Sequence, residues 1–304
     1  MNILGISCYY HDSAAALIKD GRLVAAAHEE RFTRKRHDPD LPVNAVAYCL
    51  REGGISIDQV DYFGFYDKPL TKFDRILQTY FATWPRSYAS FIKAMPVWLR
   101  EKIWVPQMIK NVLGYQGKVL FCDHHLSHAA SAFLISPFEE AAILTLDGVG
   151  EWDTTTYGTG RGTDIQLQKT IHFPHSLGLL YSAFTYYIGF KVNSAEYKVM
   201  GLAPYGRPIY ADTIRKHLID IKDDGSFRLN MKYFTYHWAL RMTGKKFEKL
   251  FGQPTRRPES QLEQFHKDIA ASLQEVTDEV VVRMANHVHL VTKMDYLCMA
   301  GGVR

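Results

Sequence analysis

The sequence has little of what marks a secreted, membrane-spanning or nucleic-acid-binding protein. Four cysteines lie far apart among 304 residues, with no CxxC pair, which argues against a disulfide framework and a cysteine zinc site. No apolar run approaches the ~18–20 residues of a membrane helix, and the first residues lack the basic start of a signal peptide. Basic residues outnumber acidic ones by only 36 to 32, too few to indicate nucleic-acid binding. These absences predict a cytoplasmic protein with no membrane or nucleic-acid partner.

The composition, 47% hydrophobic and 22% charged, is that of an ordinary globular protein. At roughly 150 residues per domain, the length predicts two domains or one two-lobed α/β domain. Residues 2–7, 14–18 and 23–27 form three short apolar runs, the last two separated by an Asp-Gly hairpin signal at Asp20-Gly21. The chain is therefore expected to begin with strand, polar turn, strand, tight turn and strand.

The rest of the chain supports two lobes, at 1–140 and 141–304. Residues 70–115 are rich in aromatic residues, helical in pattern and interrupted by prolines, which predicts an inserted helical subdomain whose aromatics serve mainly as core or lobe interface. Apolar residues from 262 to 284 recur at steps of three and four, typical of one long amphipathic helix. Because the chain stops just after a predicted strand and Gly-Gly, we expect an incomplete second lobe and a truncated protein.

A histidine pair at His124 and His128 is the first candidate site. The two imidazoles are four residues apart, so on a helix they share one face and can bind a divalent transition metal. The spacing also fits an ordinary polar helix start with Asp123 as the N-cap. Both interpretations remain open at this point.

A glycine-rich turn after an apolar strand is the second candidate site. Asp147 ends the run 141–146 and is followed by Gly148 and Gly150. A carboxylate can hold a cation, and glycine lets backbone N–H groups approach phosphate oxygens. A tight β-hairpin is the alternative. No Walker A loop and no Rossmann glycine motif occurs.

Three weaker signals complete the candidates. Glu196 and Lys198 form an acid–base pair two residues apart, and the stretch with two glycines and a proline from Gly201 to Gly206 then predicts a loop that could lie against a nucleotide sugar or substrate. The alternative is an ordinary turn with a surface ion pair. The strand-end pair Gly301-Gly302 could approach a nucleotide. A basic run at 31–37 reads as a phosphate-binding patch or a solvated turn.

The first turn carries Tyr9, Tyr10 and His11. A histidine side chain titrates near neutral pH, so His11 could serve as a general base. The alternative is a histidine that only hydrogen-bonds within its loop.

Taken in order, the motifs ILGISCYYHDSAAALIKDG, DHHLSHAASAF, LTLDGVGEWDTTTYG, EYKVMGLAPYG and LCMAGGV resemble those of the ATP-dependent O-carbamoyltransferases of nodulation-factor and antibiotic biosynthesis. More distantly they resemble the tRNA threonylcarbamoyl-transfer protein. The resemblance implies an actin-like, hexokinase-like (ribonuclease H-like) two-lobed fold that transfers a carbamoyl group from carbamoyl-adenylate to a hydroxyl. It implies metal ligands at His124, His128 and Asp147 and a catalytic His11. It also implies substrate contacts at Tyr9 and Tyr10, a cationic contact at Lys35 or Arg36, and a phosphate turn for the nucleotide at Asp147, Gly148 and Gly150. The candidates from the sequence itself add Glu196 and Lys198 to the substrate contacts and Gly201, Gly301 and Gly302 to the nucleotide contacts.

The cofactors and partners follow from the same resemblance. The metal is expected to be Fe(II), with Zn or Mn as alternatives, and Mg is expected with ATP. The partners are carbamoyl phosphate, ATP and a hydroxylated small-molecule or oligosaccharide acceptor. Family members carry a further C-terminal domain that forms the adenylate, and it is missing from this sequence. The competing interpretations are an actin-like sugar kinase or ATPase and an inactive nucleotide-binding fragment.

Overall fold

In the computed structural model, which describes residues 1–303 except the side chain of Glu101, the chain divides into two compact units. The first comprises Met1–Arg75 and Ile92–Ser127, and the second comprises Ile76–Phe91 and the residues from His128 onward. The sequence-based lobe boundary at residue 140 therefore lies inside the second unit. Each unit is built on its own sheet.

The first unit contains a five-stranded sheet of order β3-β2-β1-β4-β5. β1 to β3 are antiparallel neighbours, whereas β4 runs parallel to β1 and β5 parallel to β4. Asp20 and Gly21 both have positive φ, as a two-residue type I′ hairpin requires, so the predicted hairpin is confirmed. The strands are β1 (Asn2–Ser7), β2 (Ala14–Lys19), β3 (Arg22–His28), β4 (Tyr62–Phe65) and β5 (Lys118–Phe121).

A helix that follows β3 along the chain packs against this sheet. Helix α2 (Val43–Gly53) follows the short helix α1 (Glu30–Thr33). It buries Val46 and Cys49 in an apolar cluster with strand residues such as Leu4. Gly54 ends α2 in the left-handed conformation, which glycine adopts at helix ends without a steric penalty from a Cβ.

The segment between β4 and β5 is helical, as predicted, and its helices run through both units. Pro85 lies between the first two helices, but Pro96 lies within the second, which continues into a π turn. Phe81, Trp84 and Trp104 are more than half exposed, so the expectation that its aromatics serve as core is wrong for these three. The helices are α3 (Pro69–Ala82), α4 (Tyr88–Val97) and α5 (Val105–Leu113).

The second unit contains a four-stranded sheet of order β11-β6-β7-β8 and a two-stranded sheet β10-β9. β6 to β8 are antiparallel neighbours, and β11 runs parallel to β6. Helix α6 (His124–Phe133) leads into this unit. The strands are β6 (Glu140–Leu146), β7 (Asp153–Arg161), β8 (Asp164–His172), β9 (Ile219–Ile221), β10 (Phe227–Leu229) and β11 (Leu297–Ala300).

Two helices supply most of the apolar core of the second unit. Phe184 of α7 and Leu273 of α11 are fully buried together with Leu144 of β6, and each such side chain stabilises the fold by ~1.5–3 kcal/mol relative to exposure. The predicted amphipathic helix is α11, which has 29 residues. The helices are α7 (Leu177–Tyr187), α8 (Glu196–Leu202), α9 (Ala211–His217), α10 (Lys245–Phe251) and α11 (Gln264–Thr292).

The two larger sheets repeat one topology. In each unit three consecutive antiparallel strands come first, and the next strand of that sheet pairs in parallel with the first one. This repeat of a strand–turn–strand start in both units is the pattern of the predicted actin-like fold, and the α/β fold class is confirmed. No helix among the described residues is long and apolar enough to span a bilayer.

Candidate metal and phosphate site

Helix α6 places the two candidate histidines one turn apart. It begins directly after β5, and the backbone N–H of Ser127 closes its first turn on the Asp123 carbonyl at 2.8 Å. The Asp123 carboxylate pairs with Lys68 Nζ at 2.6 Å. Because His124 and His128 share one continuous helix, their common face is set by helical periodicity alone.

The C-terminal half of α6 is held against β6. Ala129 and Phe133 are buried with Ala141 and Ile143 of that strand. Gly160 of β7 makes room for this packing, since a Cβ there would lie 2.5 Å from the Phe133 ring. The same strand, β6, ends at the candidate carboxylate of Asp147.

Asp147 meets the histidine pair. Its Oδ2 lies 3.8 Å from His128 Nε2, and one ligand atom each of His124, His128 and Asp147 lies within 4.8 Å of the others. Ligands that share an ion sit ~2 Å from it, so they lie about 3–4 Å apart. Two imidazoles and a carboxylate are also a donor set that Fe, Zn and Mn accept. The residues present therefore fit a divalent transition metal.

The backbone of two distant segments packs closely around Asp147. Gly301 has φ +103°, and a Cβ there would lie 2.1 Å from the Leu146 carbonyl oxygen. The N–H of Gly302 donates to Asp147 Oδ1 at 3.3 Å. Gly178, in the first turn of α7, approaches so closely that a Cβ would lie 2.8 Å from the Asp147 carbonyl oxygen.

Ser176 ties the Asp147 turn to helix α7, a contact that the sequence analysis missed. Its Oγ accepts the N–H of Leu179 at 3.0 Å as the N-cap, and it lies 2.7 Å from the Gly148 carbonyl oxygen, to which it donates. Serine before an apolar helical run is a recognisable N-cap signal. Nothing in the local sequence indicates that this cap also contacts the turn.

The predicted phosphate turn is partly occupied by its own hydrogen bonds. The N–H of Gly150 donates to the Asp153 carbonyl at 2.9 Å and that of Asp147 to the Thr154 carbonyl at 2.9 Å. The turn is therefore a closed connection between β6 and β7, and a phosphate contact from the Gly150 amide would have to replace an existing bond.

The stretch expected to be a substrate loop is a helix. Glu196 begins α8, and its Oε1 accepts the N–H of Asn193 and the hydroxyl of Ser182, each at 2.8 Å. Lys198 Nζ lies 5.8 Å from the Phe190 ring centroid. Gly201 lies inside α8 with no atom within 4 Å of an added Cβ. The loop expected from Gly201 to Gly206 was wrong, because α8 continues through Gly201 and a 3₁₀ turn follows at Ala203–Tyr205. A glycine within a helix costs only about 1 kcal/mol relative to alanine.

The first turn of the chain presents His11 and Tyr10 at the surface of the first unit. The two rings lie 4.5 Å apart, and the Tyr10 side chain is 57% exposed. His11 Nδ1 lies 2.7 Å from Asp12 Oδ2. Tyr9 has φ 69°, and its N–H donates to the Pro39 carbonyl at 2.7 Å.

The two basic candidates lie in the segment that follows α1. Lys35 Nζ lies 2.7 Å from Asp40 and 3.3 Å from Asp38. The hydrogen bond to Asp40 is the main cause that raises the pKa of Lys35. A phosphate at Lys35 would compete with both carboxylates, whereas Arg36 is exposed.

Comparison with known proteins gives the family. The family described as "Carbamoyltransferase N-terminus" matches residues 2–304. An uncharacterized protein, sll1178 of Synechocystis sp., is 57% identical over 310 residues, covering 99% of this chain and 50% of that protein. Nodulation protein NolNO of Sinorhizobium fredii is 32% identical over 301 residues, covering 97% of this chain and 41% of NolNO. Component A of the Acidaminococcus fermentans (R)-2-hydroxyglutaryl-CoA dehydratase is 14% identical, with a TM-score of 0.45, over 100% of this chain and 83% of that chain.

The topology and the His–Asp cluster together define an actin-like domain with a candidate metal centre. The chain belongs to the carbamoyltransferase family, whose N-terminal part it matches along nearly its whole length. It spans half of sll1178 and less than half of NolNO.

Proposed function

We propose that this chain is the carbamoyl-transferring part of an ATP-dependent carbamoyltransferase. The donor is carbamoyl-adenylate, made from carbamoyl phosphate and ATP by a further domain, and the acceptor is a hydroxyl of a small molecule or oligosaccharide. Family membership supports the carbamoyl chemistry. The observation that carries the metal-assisted form of the proposal is the approach of His124, His128 and Asp147 within 4.8 Å.

The proposed reaction needs one base. The acceptor oxygen attacks the carbamoyl carbon, a new C–O bond forms, and the bond from that carbon to the adenylate phosphate oxygen breaks, releasing AMP. His11 takes the hydroxyl proton as attack proceeds, through Nε2, the ring nitrogen not bonded to Asp12. The His11 side chain is 43% exposed, so a dissolved acceptor can reach it.

The proposed metal ligands are His124, His128 and Asp147. A bound divalent ion supplies positive charge that polarises phosphate or carbamoyl oxygens. The contacts of Asp147 with Gly302, and of its turn with Ser176, hold the carboxylate in place, so the ligand set is ordered before any ligand binds.

Metal content tests the centre directly. The 304-residue chain, loaded anaerobically with Fe(II) and in parallel with Zn or Mn, should retain one equivalent after gel filtration. The double variant His124→Ala, His128→Ala should retain none. The matched control His172→Ala, His217→Ala removes two histidines outside the cluster and should retain the wild-type amount. One equivalent of metal in the first double variant would contradict the ligand assignment.

Product analysis tests the reaction. With the adenylate-forming domain added, ATP, carbamoyl phosphate and a hydroxylated acceptor should give AMP and a carbamoylated acceptor. Release of ADP with a phosphorylated acceptor would instead identify a kinase.

A further inference from the structure

The carboxylate of Asp12 is shared by two imidazoles of the first unit. Oδ2 lies 2.7 Å from His11 Nδ1, and Oδ1 lies 2.9 Å from His37 Nδ1. An ionised carboxylate can only accept hydrogen bonds, so each Nδ1 must donate. A neutral imidazole with a proton on Nδ1 has its lone pair on Nε2. The geometry therefore selects, for His11, the tautomer that a base acting through Nε2 requires.

Backbone hydrogen bonds of the neighbouring segments hold His37 and Asp12 in place beside each other. The N–H of His37 donates to Glu30 Oε2 at 3.0 Å, and the N–H of Ser13 donates to the carbonyl of Asp38 at 2.8 Å. Asp12 and His37 both have φ near +50°, a region that non-glycine residues seldom occupy. Such backbone persists only where several contacts determine it, so the Asp12–His37 bond belongs to a rigid connection.

The charge state of Asp12 suits this role. Burial raises the pKa of Asp12, but the hydrogen bonds from His37 and His11 lower it by more, so the carboxyl is ionised at neutral pH. The other groups nearby are the Tyr10 ring beside His11, Glu30 beside His37, and Lys72, whose Nζ is 6.0 Å from the Tyr10 ring. Lys72 itself pairs with Asp67 at 2.5 Å.

A second His–Asp pair, formed between neighbouring strands, serves as a comparison for the His11–Asp12 pair. His172 Nδ1 lies 2.8 Å from Asp153 Oδ1, and these residues are register partners on β7 and β8. The His172 pair therefore provides a matched comparison for the His11 pair.

We propose that Asp12 is a positioning residue for the transfer reaction: it holds His11 in the Nδ1–H tautomer, and His37 holds Asp12. The inference rests on the base role proposed for His11, but its central claim can be measured without turnover.

Imidazole nitrogen NMR on the 304-residue chain, labelled with ¹⁵N-histidine, measures the tautomer. The His11 signals are assigned from the spectrum of His11→Gln, at a pH where the ring is neutral. In the wild type they should show Nδ1 protonated and Nε2 unprotonated. In Asp12→Asn the amide NH₂ can donate to Nδ1, so the His11 tautomer should change to Nε2–H. In His37→Phe the carboxylate loses one anchor, and His11 should show a mixture of tautomers.

Asp153→Asn is the control, and it should change the His172 signals while leaving those of His11 as in the wild type. A wild-type His11 in the Nε2–H form, or as an equal mixture, would overturn the proposal even if Asp12→Asn and His37→Phe failed to fold. An unchanged His11 tautomer in folded Asp12→Asn would overturn it as well, and an unchanged one in His37→Phe would remove the part assigned to His37. Because no step of this test involves carbamoyl transfer or metal, its failure is distinguishable from failure of the proposed function.

Discussion

Replacing Gly178 with alanine should displace the Asp147 turn and so disturb the candidate metal centre. The added Cβ would lie 2.8 Å from both the carbonyl oxygen of Asp147 and the N–H nitrogen of Gly148. Ordinary contacts at such positions begin near 3.4 Å, so the turn that carries the Asp147 carboxylate must shift by roughly half an ångström. Overpacking of this kind costs about 1–3 kcal/mol.

Gly201→Ala is the matched variant. Gly201 also lies in a helix, but an added Cβ there meets no atom within 4 Å. Alanine is favoured over glycine within a helix by ~0.8–1 kcal/mol, so Gly201→Ala should stabilise the chain by about that amount. The gain is shared by both variants, and their difference in unfolding free energy should therefore be ~1–3 kcal/mol, the overpacking cost alone.

Chemical denaturation gives the two unfolding free energies, and titration with Fe(II) or Zn gives the metal affinities. Gly178→Ala should be the less stable variant and should bind the metal more weakly than the wild type. Gly201→Ala should bind it as the wild type does. If Gly178→Ala were as stable as Gly201→Ala and bound metal normally, the support that we assign to the Asp147 turn would be refuted.

Two further predictions concern helix starts in the second unit. Ser176→Ala removes the N-cap acceptor of Leu179 and should lower the unfolding free energy by ~1–2 kcal/mol, measured by urea unfolding; an unchanged midpoint would contradict the role of this cap. His266 is 7% exposed, and its Nδ1 accepts the N–H of Glu263 at 3.0 Å. Burial, followed by the nearby Arg256, lowers the pKa of His266, so the unfolded state binds this proton more readily. The contribution of His266 to the free energy of unfolding should therefore be fully present above the unfolded pKa of ~6.5. It should fall as pH decreases below that value, by up to ~1.4 kcal/mol per pH unit. His266→Gln keeps an acceptor without a titrating ring and should flatten that slope; an equal slope in both proteins would contradict the assignment.

The sequence was most informative where local chemistry determines the structure. The Asp20-Gly21 hairpin follows from its turn residues, and the stop of α2 follows from the left-handed glycine cap at Gly54. The presence of α11 follows from helical periodicity over 262–284, although the helix continues to Thr292. The position of His124 and His128 on one face of α6 follows from their spacing in the same way. Their approach to Asp147 required the resemblance to a family, because no local signal joins a helix to the end of the next strand.

Contacts between distant segments could not be predicted. Residues 203–251 fold into helices and strands of only three to seven residues, which are too short for a periodic pattern to develop. Asp12 and His37 are separated by β2, β3 and α1, so their hydrogen bond depends on tertiary structure. The hydrogen bond from the Ser182 hydroxyl to Glu196 likewise joins α7 to the start of α8, and no local sequence signal indicates it.

The position of the candidate ligands along the chain bears on the order in which the site can assemble. Two ligands lie in one helical turn, and the third ends the strand that comes next in sequence. Closing so short a loop costs little conformational entropy, and contacts of low sequence separation form early. The cluster can thus come together when α6 docks on β6, before α11 and β11 have left the ribosome. An ion bound to the candidate ligands at that stage would stabilise the partly synthesised chain by mass action, so the yield of folded chain would then depend on the metal supplied during synthesis.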